Sequence, residues 1–357
     1  MPVSSTTAAE RCYQLVESAI ADYFRQAARD AAVINPAYAR LWKDMHELVL
    51  GGGKRLRPRM AYLSYRAFGG EDVAGFAPVA AATELLHLSL LIHDDIIDRD
   101  LMRYRVPNIT ARYVEHYASY ITDAADRLHY AESAALLAGD LLLSGAHQMI
   151  AGSVLPDTTR ASVQTILSRG VFEVVGGQLL DTEAAFVDPA TVQPLTIAHY
   201  KSASYSFVMP LLIGATAAGA SEQAKATLRQ FAEQLGLAFQ LHDDILGVFG
   251  DSSVMGKSTT GDLREGKRTY LIESFEKLAA PADKAKFDCY FGKAELSDDQ
   301  ADSLRQLLED SGARGQVTSK ISELEAGAIA ALAALKLSPA HHQEFLDLIH
   351  KALKRNS

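Results

Sequence analysis

The sequence predicts an all-α protein built as a single domain over residues 1–357. Apolar residues recur three and four positions apart in "MAYLSYRAF", "AAATELLHLSLLIHDDIID" and "TLRQFAEQLGLAFQLHDDIL", which is the spacing of one helix face. Alternating β-branched and polar residues between turn pairs are scarce, and no linker rich in Ser, Gly or Pro divides the chain. These features predict about ten or more helices in one domain.

Turn-forming stretches mark where the predicted helices end. In chain order they are "GGGK", "FGGED", "VLPDTT", "VDPATVQP", "FGDSSVMGKSTTGDLREGK" and "LSPAHH". The longest uncharged stretch, residues 203–220, contains several glycines and Pro210. We therefore predict a buried, kinked helix there in preference to a membrane span.

The composition restricts the partners and the compartment. A formal net charge of -9 argues against nonspecific binding to nucleic acid or to an anionic membrane surface. Cys12 and Cys289 are too far apart in sequence to suggest a metal site or a disulfide framework. The beginning "MPVSSTTAAERCYQ" has no basic region followed by an apolar run. We expect a soluble cytoplasmic protein with no nucleic-acid partner and no membrane span.

Clustered aspartates indicate a magnesium site. Asp94 and Asp98 are four residues apart and Asp95 and Asp98 three apart, so on a helix they share a face. Carboxylates this close repel one another unless a divalent cation lies between them, and Mg²⁺ prefers oxygen ligands and completes its shell with phosphates and water. A second pair follows in "QLHDDIL". The predicted metal ligands are Asp94, Asp95, Asp98, Asp243 and Asp244.

A single Asp–Asp pair is more often a solvated helix end than a metal site. Here "LIHDDII" and "QLHDDIL" each place His-Asp-Asp at the close of an apolar helical segment, which favours two halves of one site. Two helices presenting such pairs across a cleft would hold several Mg²⁺ ions with a diphosphate between them. His93 and His242 suggest an alternative function, that of a His-Asp phosphohydrolase. We interpret both instead as helix histidines packed beside the site.

Basic residues near glycines are the candidate phosphate ligands. "GGGKRLRP" places Lys54, Arg55 and Arg57 directly after three glycines, although a lone basic octamer is more often a solvated turn. Two interpretations fit the stretch "MGKSTTGDLREGKRT": a flexible flap over phosphates, or an ordinary solvated loop. The further candidate anchors are Arg103, Arg105, Lys201, Lys257 and Lys267.

Six stretches carry a resemblance to a known family. They are "GGGKRLRP", "ELLHLSLLIHDDIIDRD", "GGQLLD", "YKSASYSFVMPLLIGA", "FQLHDDILGVFGD" and "GKSTTGDLREGKRTYL". In their order and approximate spacing, the chain resembles the trans-isoprenyl diphosphate synthases, or head-to-tail polyprenyl synthetases, over nearly its whole length. The resemblance implies helices around a deep central cavity, a homodimer, and about three Mg²⁺ ions per active site.

The resemblance also implies roles for single residues. Isopentenyl diphosphate would be bound by Lys54, Arg57 and His87, with Arg55 and Arg105 as further candidates. The allylic diphosphate would be bound, and the allylic cation stabilised, by Arg103, Lys201, Ser202, Gln240, Lys257 and Lys267. Catalysis would depend on Asp94, Asp95, Asp98, Arg103, Lys201, Asp243 and Asp244. Gln178 and Asp181 occupy the "GQxxD" motif beside the cavity.

Three departures from the family pattern matter. Tyr104 stands where a second arginine is usual, so either Arg105 substitutes or the grip on isopentenyl diphosphate is weaker. Gly247 stands where a third aspartate often follows the second pair, which leaves metal binding to Asp243 and Asp244, with Asp251 as a further candidate. The connection 110–132 is longer than usual, and a surface helix or dimer contact is the simplest interpretation.

The expected reaction condenses isopentenyl diphosphate with dimethylallyl, geranyl or farnesyl diphosphate to a longer all-trans prenyl diphosphate. Ser89 and Leu90 lie one turn before Asp94 and neither is aromatic, which in this family favours geranylgeranyl diphosphate. The alternatives are a farnesyl or longer-chain synthase, a non-catalytic subunit of a heteromeric synthase, and a class I terpene cyclase.

Overall fold

The chain folds almost entirely into helices, as its periodicity predicts. The computed structural model describes residues 8–103, 106–250 and 259–353. The helices of the first half are α1 (Ala8–Ile34), α2 (Pro36–Leu50), α3 (Leu56–Ala67), α4 (Val73–Ile97), α5 (Ile109–His116), α6 (Ala124–Ala151) and α7 (Asp157–Glu183). A two-stranded antiparallel ribbon, β1 (Met102–Arg103) and β2 (Val106–Pro107), follows α4 and pairs Arg103 with Val106.

The second half continues the helical pattern. A short 3₁₀ turn, Pro189–Thr191, precedes α8 (Pro194–Ile197), the π-helix Ala198–Val208 and α9 (Met209–Ala217). The remaining helices are α10 (Glu222–Phe249), α11 (Gly261–Glu265), α12 (Tyr270–Leu278), α13 (Pro281–Asp288), α14 (Asp298–Asp310), α15 (Ala313–Ala334) and α16 (Pro339–Leu353).

Contacts between Cα atoms group the chain into two compact units. Unit 1 comprises Met1–Leu167 and Ile213–Gly219, and unit 2 comprises Ser168–Leu212 and Ala220–Ser357. The first aspartate motif and the "GGGKRLRP" loop belong to unit 1, whereas the second aspartate motif belongs to unit 2. The single-domain organisation of residues 1–357 stays a prediction.

Helix α4 forms the centre of unit 1. It packs against α1, α3 and α6, and the run Val79–Leu86 is almost fully buried. Asp72 caps its start, since the carboxylate accepts a hydrogen bond of 2.8 Å from the backbone N–H of Gly75. Gly139 on α6 is needed for the close approach to α4, because a Cβ there would lie within 3.0 Å of the His93 imidazole. The core helix therefore runs directly into the first aspartate motif.

Helix α10 has the corresponding role in unit 2. It packs against the π-helix, α15 and α16, and buries Phe231, Leu235 and Leu241 completely. The predicted buried helix over residues 203–220 is found, with its irregularity in the π-helical turns ahead of Pro210, which occupies the first turn of α9. Such π-helical turns are common at functional sites.

Within the part of the chain that the structure describes, two helices are long and apolar enough to cross a membrane by length and composition alone, α4 and α6. Of their most apolar windows, 72% and 50% respectively are buried inside the protein. Extensive burial of this kind is what core helices of soluble proteins show, and α4 also carries Glu84, Asp94 and Asp95.

Candidate active site

The first aspartate motif lies at the end of α4 in unit 1. The three carboxylates have different surroundings: the side chain of Asp95 is 3% exposed and that of Asp94 25%, and Asp98, the C-cap residue, is exposed. Asp95 faces Arg103, whose Nε donates to Oδ1 at 2.8 Å and whose Nη2 contacts the same oxygen. Asp94 and Asp98, one turn apart, are thus the two more accessible carboxylates of the motif.

Arg103 is held among the acids by the β1–β2 ribbon. Its Nη2 lies 3.6 Å from Oδ2 of Asp94 and 4.0 Å from Oδ2 of Asp100. Burial raises the pKa of Asp95, and the hydrogen bond and positive charge of Arg103 act in the opposite direction. Arg103 therefore forms an ion pair with the first aspartate motif, and its predicted binding of the allylic diphosphate stays a prediction. Tyr104 and Arg105 lie outside the described residues, so the role predicted for Arg105 stays a prediction.

The carboxylates of the first aspartate motif suit a metal ion that takes its remaining ligands from substrate and water. Within the described ranges, no group of three or more His, Cys, Asp or Glu could hold a metal ion by itself. Mg²⁺ commonly takes one or two carboxylates and completes its octahedron with substrate phosphates and water. Among the described residues, no hydrogen bond to the buried Oδ2 of Asp95 is found, and this oxygen adds negative potential beside Asp94 and Asp98. These residues fit Mg²⁺, while the predicted number of ions stays a prediction.

Arg55 has a different role from the one the sequence suggests. It is 4% exposed, its Nε donates to Glu17 at 2.6 Å, and its Nη1 donates to Glu84 at 3.1 Å. Its Nη2 donates to the carbonyl of Val49 at 2.8 Å. Because every nitrogen of the guanidinium has a protein acceptor, Arg55 is a structural residue and is not placed to bind a substrate phosphate.

The glycines of the "GGGK" loop serve this buried arginine. Gly53 has a φ of 110°, and a Cβ there would lie 2.8 Å from Nη1 of Arg55. We expected the glycines to let backbone approach an anion, but the group that approaches Gly53 is the guanidinium of Arg55. Arg55 itself has a φ of 48°, a left-handed conformation that directs its side chain back into unit 1.

The other basic residues of this loop keep their predicted role as candidates. Lys54 is exposed and Arg57 is half-buried. The pKa of His87 is lowered well below its usual range by burial, and by the positive charges of Arg57, Arg103 and Arg55. A neutral histidine among guanidinium groups marks a region of positive potential, which suits binding of a diphosphate.

Unit 2 contains a cavity of about 260 Å³ that collects most of its predicted site residues. The predicted metal- and substrate-binding residues of unit 2 that lie within the described ranges line it: Lys201, Ser202, Gln240, Asp243, Asp244 and Lys267. Of the "GQxxD" motif, Asp181 lines it too, whereas Gln178 does not. Lys257 and Asp251 fall outside the described residues. A cavity lined by facing carboxylates and ammonium groups can bind a metal–phosphate complex.

Lys201 enters this cavity from the π-helix. Its Nζ lies 2.5 Å from Oδ2 of Asp181 on α7. The two helices approach closely at Gly177, where a Cβ would lie within 3.0 Å of the backbone nitrogen of Lys201. The "GGQLLD" motif therefore has a local explanation, since its second glycine lets α7 reach the π-helix and its aspartate orients the lysine.

Asp244 is the most perturbed acid of the cavity. Its Oδ1 accepts a hydrogen bond of 2.8 Å from Nε2 of Gln240, one turn earlier on α10. Burial, followed by the charges of Asp262 and Asp243, raises the pKa of Asp244 to about 7, against the lowering effects of Gln240 and Lys267. Crowded carboxylates of this kind are what a bound cation would relieve.

The raised pKa of Asp244 predicts how the stability of the folded protein depends on pH. The folded protein binds the Asp244 proton more tightly than the unfolded chain, whose carboxyl titrates near 3.8. The stabilising contribution is therefore complete below about pH 3.8 and is lost as the pH rises through about 7. In thermal unfolding with EDTA present, the stability of Asp244→Asn relative to that of the wild type should increase from pH 5 to about pH 8. A constant difference across that range would contradict the raised pKa.

Two residues of this site, and one that supports it from α14, were not indicated by the sequence alone. Asp262 and Arg268 line the cavity although only the lysines of "GKSTTGDLREGKRT" had suggested function. Arg305 on α14 joins distant segments: its Nε donates to the carbonyl of Val248 at 2.7 Å and its Nη2 to that of Thr259 at 3.1 Å. The ion pair of Arg305 with Asp302, three residues earlier, is local, but no spacing signals its contacts with Val248 and Thr259.

Comparison with known proteins identifies the family of this chain. The Polyprenyl synthetase family model matches residues 39–308. The chain is 31% identical over 294 residues to a geranylgeranyl diphosphate synthase of Methanosarcina mazei, covering 80% of this chain and 82% of the relative. It is 33% identical over 309 residues to a geranylfarnesyl diphosphate synthase of Aeropyrum pernix, covering 85% and 90%.

A solved structure gives the same picture at the level of the fold. The crystal structure of a geranylgeranyl pyrophosphate synthase from Corynebacterium glutamicum, complexed with isoprenyl diphosphate and magnesium, has a TM-score of 0.89 and 27% identity. The match covers 98% of this chain and 100% of that one. The fold and the paired acidic motifs define an all-α protein of the isoprenyl diphosphate synthase class. The chain belongs to the polyprenyl synthetase family.

Proposed function

We propose that the protein is a Mg²⁺-dependent head-to-tail prenyltransferase that condenses isopentenyl diphosphate with an allylic diphosphate. The observation that carries the proposal is the convergence of Lys201, Ser202, Gln240 and the second aspartate pair on one cavity of unit 2. The names of the relatives and the Arg103–Asp95 pair at the first aspartate motif support the same reaction.

In this proposal, the acidic residues bind the metal and the basic residues bind the diphosphate. Asp94, Asp98, Asp243 and Asp244 would hold Mg²⁺, which supplies charge neutralisation that makes the allylic diphosphate a better leaving group. Lys201, Lys267 and Arg103 donate hydrogen bonds to the diphosphate oxygens as the C–O bond breaks. Gln240 and Ser202 present polar groups beside the allylic cation that results.

The second substrate completes the reaction. Lys54, Arg57 and neutral His87 bind isopentenyl diphosphate and orient its C=C bond, whose electrons form the new C–C bond with the allylic cation. A proton then leaves the adjacent carbon, and the departing diphosphate accepts it. The products are inorganic diphosphate and a prenyl diphosphate one five-carbon unit longer. Exclusion of water protects the cation from quenching.

We propose geranylgeranyl diphosphate as the main product. Ser89 is 1% exposed and Leu90 half-buried, and neither of these residues, one turn before Asp94 on α4, is aromatic. Relatives named for geranylgeranyl and geranylfarnesyl products support a chain of this length or longer.

A product assay decides between this proposal and its rivals. Purified protein is incubated with isopentenyl diphosphate and dimethylallyl, geranyl or farnesyl diphosphate, with Mg²⁺ or with EDTA, and the products are separated by chromatography. Geranylgeranyl diphosphate formed only with Mg²⁺ supports the proposal. Cyclic hydrocarbon indicates a terpene cyclase, release of phosphate without elongation a phosphohydrolase, and no turnover a non-catalytic subunit.

We also propose a cytoplasmic homodimer. Phe172, Val175 and Leu179 form an exposed stripe along the unit 2 part of α7, with exposed fractions of 69%, 55% and 68%. Apolar rows at this helical spacing favour association with another apolar surface. Cys12 and Cys289 are not joined in a disulfide, in keeping with a reducing compartment.

The dimer proposal predicts the effect of a single charge. Val175→Asp should convert the dimer to a monomer in light scattering coupled to size-exclusion chromatography, because a buried unpaired carboxylate opposes association. Ile329→Asp on α15, where the native side chain is 43% exposed, is the matched control and should leave the mass unchanged. A wild-type protein that already elutes as a monomer would contradict the proposal.

A further inference from the structure

The basic side chains of the unit 2 cavity differ in what they already contact. Among the described residues, those that line the cavity are Lys201, Lys267 and Arg268. Lys201 pairs with Asp181, and Lys267 pairs with two carboxylates, at 3.0 and 3.1 Å. For the half-buried side chain of Arg268, neither an ion pair nor a hydrogen bond is found within the described ranges. The N–H donors of Arg268 are therefore the ones in this set that no described carboxylate uses.

An aromatic ring holds Arg268 at the cavity. The Cζ atom of its guanidinium lies 5.2 Å from the ring centroid of Phe291. Phe291 is 8% exposed, and its ring centroid lies 4.8 Å from that of Phe287, which is fully buried. A cation over an aromatic face is attracted by the charge distribution of the ring, and this contact does not use the N–H donors at the edge of the guanidinium. The ring can thus fix the side chain while leaving its donors for a ligand.

The turn that carries Arg268 is packed against the segment that carries the ring. Gly266 has a φ of 69°, and a Cβ there would lie 3.0 Å from the Cα of Gly292. The backbone N–H of Gly292 donates a hydrogen bond of 2.9 Å to the carbonyl of Leu263 on α11. Because these backbones touch directly, the position of Phe291 also sets where Arg268 stands on the cavity wall.

The surroundings of Arg268 indicate what it would bind. On the cavity side, Ser202 and Gln240 add hydroxyl and amide donors to the charges of the two lysines. A neighbouring groove of about 700 Å³ also contains Arg268, but Lys277, the other base that lines it among the described residues, pairs with Glu273 at 2.7 Å. A planar guanidinium can bind two oxygens of one phosphate group, whereas an ammonium acts as a point charge. A diphosphate in the cavity matches this set of donors.

We propose that Arg268 is a further residue that binds the allylic diphosphate, and that Phe291 is the positioning residue that orients its guanidinium. The inference rests on the proposed function, because it adds two residues to the site of that substrate. Two N–H groups of Arg268 donate to oxygens of one phosphate group, and the ring of Phe291 keeps the side chain beside the cavity. Lys201 and Lys267 then share the remaining oxygens.

The first test measures diphosphate binding apart from turnover. Inorganic diphosphate is the probe, Mg²⁺ is present, and isothermal titration calorimetry gives the Kd. Arg268→Met should weaken binding by about 10- to 100-fold, the usual effect of losing hydrogen bonds to a charged group. Arg264→Met is the matched control and should keep the wild-type Kd, since Arg264 stands four residues earlier, is exposed and does not line the cavity.

Steady-state kinetics then separates the two diphosphate sites. Arg268→Met should raise KM for the allylic diphosphate by about tenfold or more. It should leave KM for isopentenyl diphosphate unchanged, because Lys54 and Arg57 are the proposed ligands of that substrate. Arg268→Lys should recover part of the loss, since it keeps the charge but not the planar pair of donors.

Phe291→Leu tests the positioning role. Leucine remains apolar but has no ring face, so binding of inorganic diphosphate should weaken by about two- to fivefold, as expected for a cation–π contact at a partly exposed site. In the Arg268→Met background, Phe291→Leu should have no further effect, because the contact it removes is already absent. A merely structural role of Phe291 would cause the same loss in both backgrounds. Circular dichroism confirms that each variant is folded.

The outcomes distinguish a failure of this inference from a failure of the proposed function. An Arg268→Met protein that binds inorganic diphosphate as well as Arg264→Met does overturns the role of Arg268, even if the wild type elongates prenyl diphosphates. Equal losses from Phe291→Leu in the two backgrounds overturn the role of Phe291. A wild type that binds inorganic diphosphate through Arg268, yet elongates no substrate, overturns the proposed prenyl transfer and leaves Arg268 as a diphosphate-binding residue.

Discussion

Asp243→Asn is expected to lower kcat by roughly 10²- to 10³-fold, the usual loss when one preorganised group that stabilises developing charge is removed. The amide keeps the shape of the side chain but loses the negative charge, so Mg²⁺ and the leaving diphosphate are held less well. Asp243 lines the unit 2 cavity beside Asp244 and Lys201. Steady-state kinetics at saturating substrates, with Mg²⁺ varied, measures the loss.

A control on the same helix tests whether the effect belongs to the cavity. Glu233 on α10 is another acid, with a distant ion pair of 3.9 Å to Arg229 and no place in the cavity lining. Glu233→Gln should retain the kcat and the Mg²⁺ dependence of the wild type. If Asp243→Asn keeps more than a tenth of the wild-type kcat, the magnesium role of the second motif is wrong.

Arg55→Met is expected to destabilise the protein by about 3–5 kcal/mol, the typical cost of removing one partner from a buried ion pair. The guanidinium, 4% exposed, is the partner of both Glu84, whose side chain is 3% exposed, and Glu17. Without it, the Glu84 carboxylate is left in a site where burial already raises its pKa. Chemical or thermal unfolding measures the change.

Arg57→Met is the matched variant for that experiment. Arg57 is half-buried in the same motif, and we propose that it binds isopentenyl diphosphate. Its replacement should raise KM for isopentenyl diphosphate by tenfold or more, as expected for about 1.4 kcal/mol of lost binding, and should change the unfolding midpoint little. Adding Glu84→Leu to Arg55→Met should recover part of the lost stability, because no buried carboxylate is then unpaired. Equal unfolding midpoints for Arg55→Met and Arg57→Met would contradict the division of roles.

The fold class could be predicted because helix periodicity is a local signal. The spacing of apolar residues in α4 and α10 is visible within a few turns. The first His-Asp-Asp stretch lies at the end of α4, as predicted, whereas α10 continues beyond Asp244 to Phe249. Pro210 likewise indicated an irregular helix before the structure located the π-helical turns. The division of contacts into two units has no such local signal.

The site could be predicted in part for the same reason. The positions of Lys201, Gln240 and the second aspartate pair in one cavity were expected from motifs. His93 was interpreted as a packing residue, and its Nε2 lies 3.3 Å from the carbonyl of Leu136 on α6. Arg55 and Arg57, however, stand two residues apart with the same side chain, and no spacing rule assigns one to the core and the other to a phosphate.

The sequence by itself determined the helices, the two acidic motifs and the family resemblance, because each depends on residues close together along the chain. Only the tertiary structure decided that Arg55 is buried between Glu17 and Glu84, and that Arg268 lies over the ring of Phe291. Burial and ion pairing depend on which distant segments meet. The same charged side chain is therefore structural in one environment and available to a ligand in another.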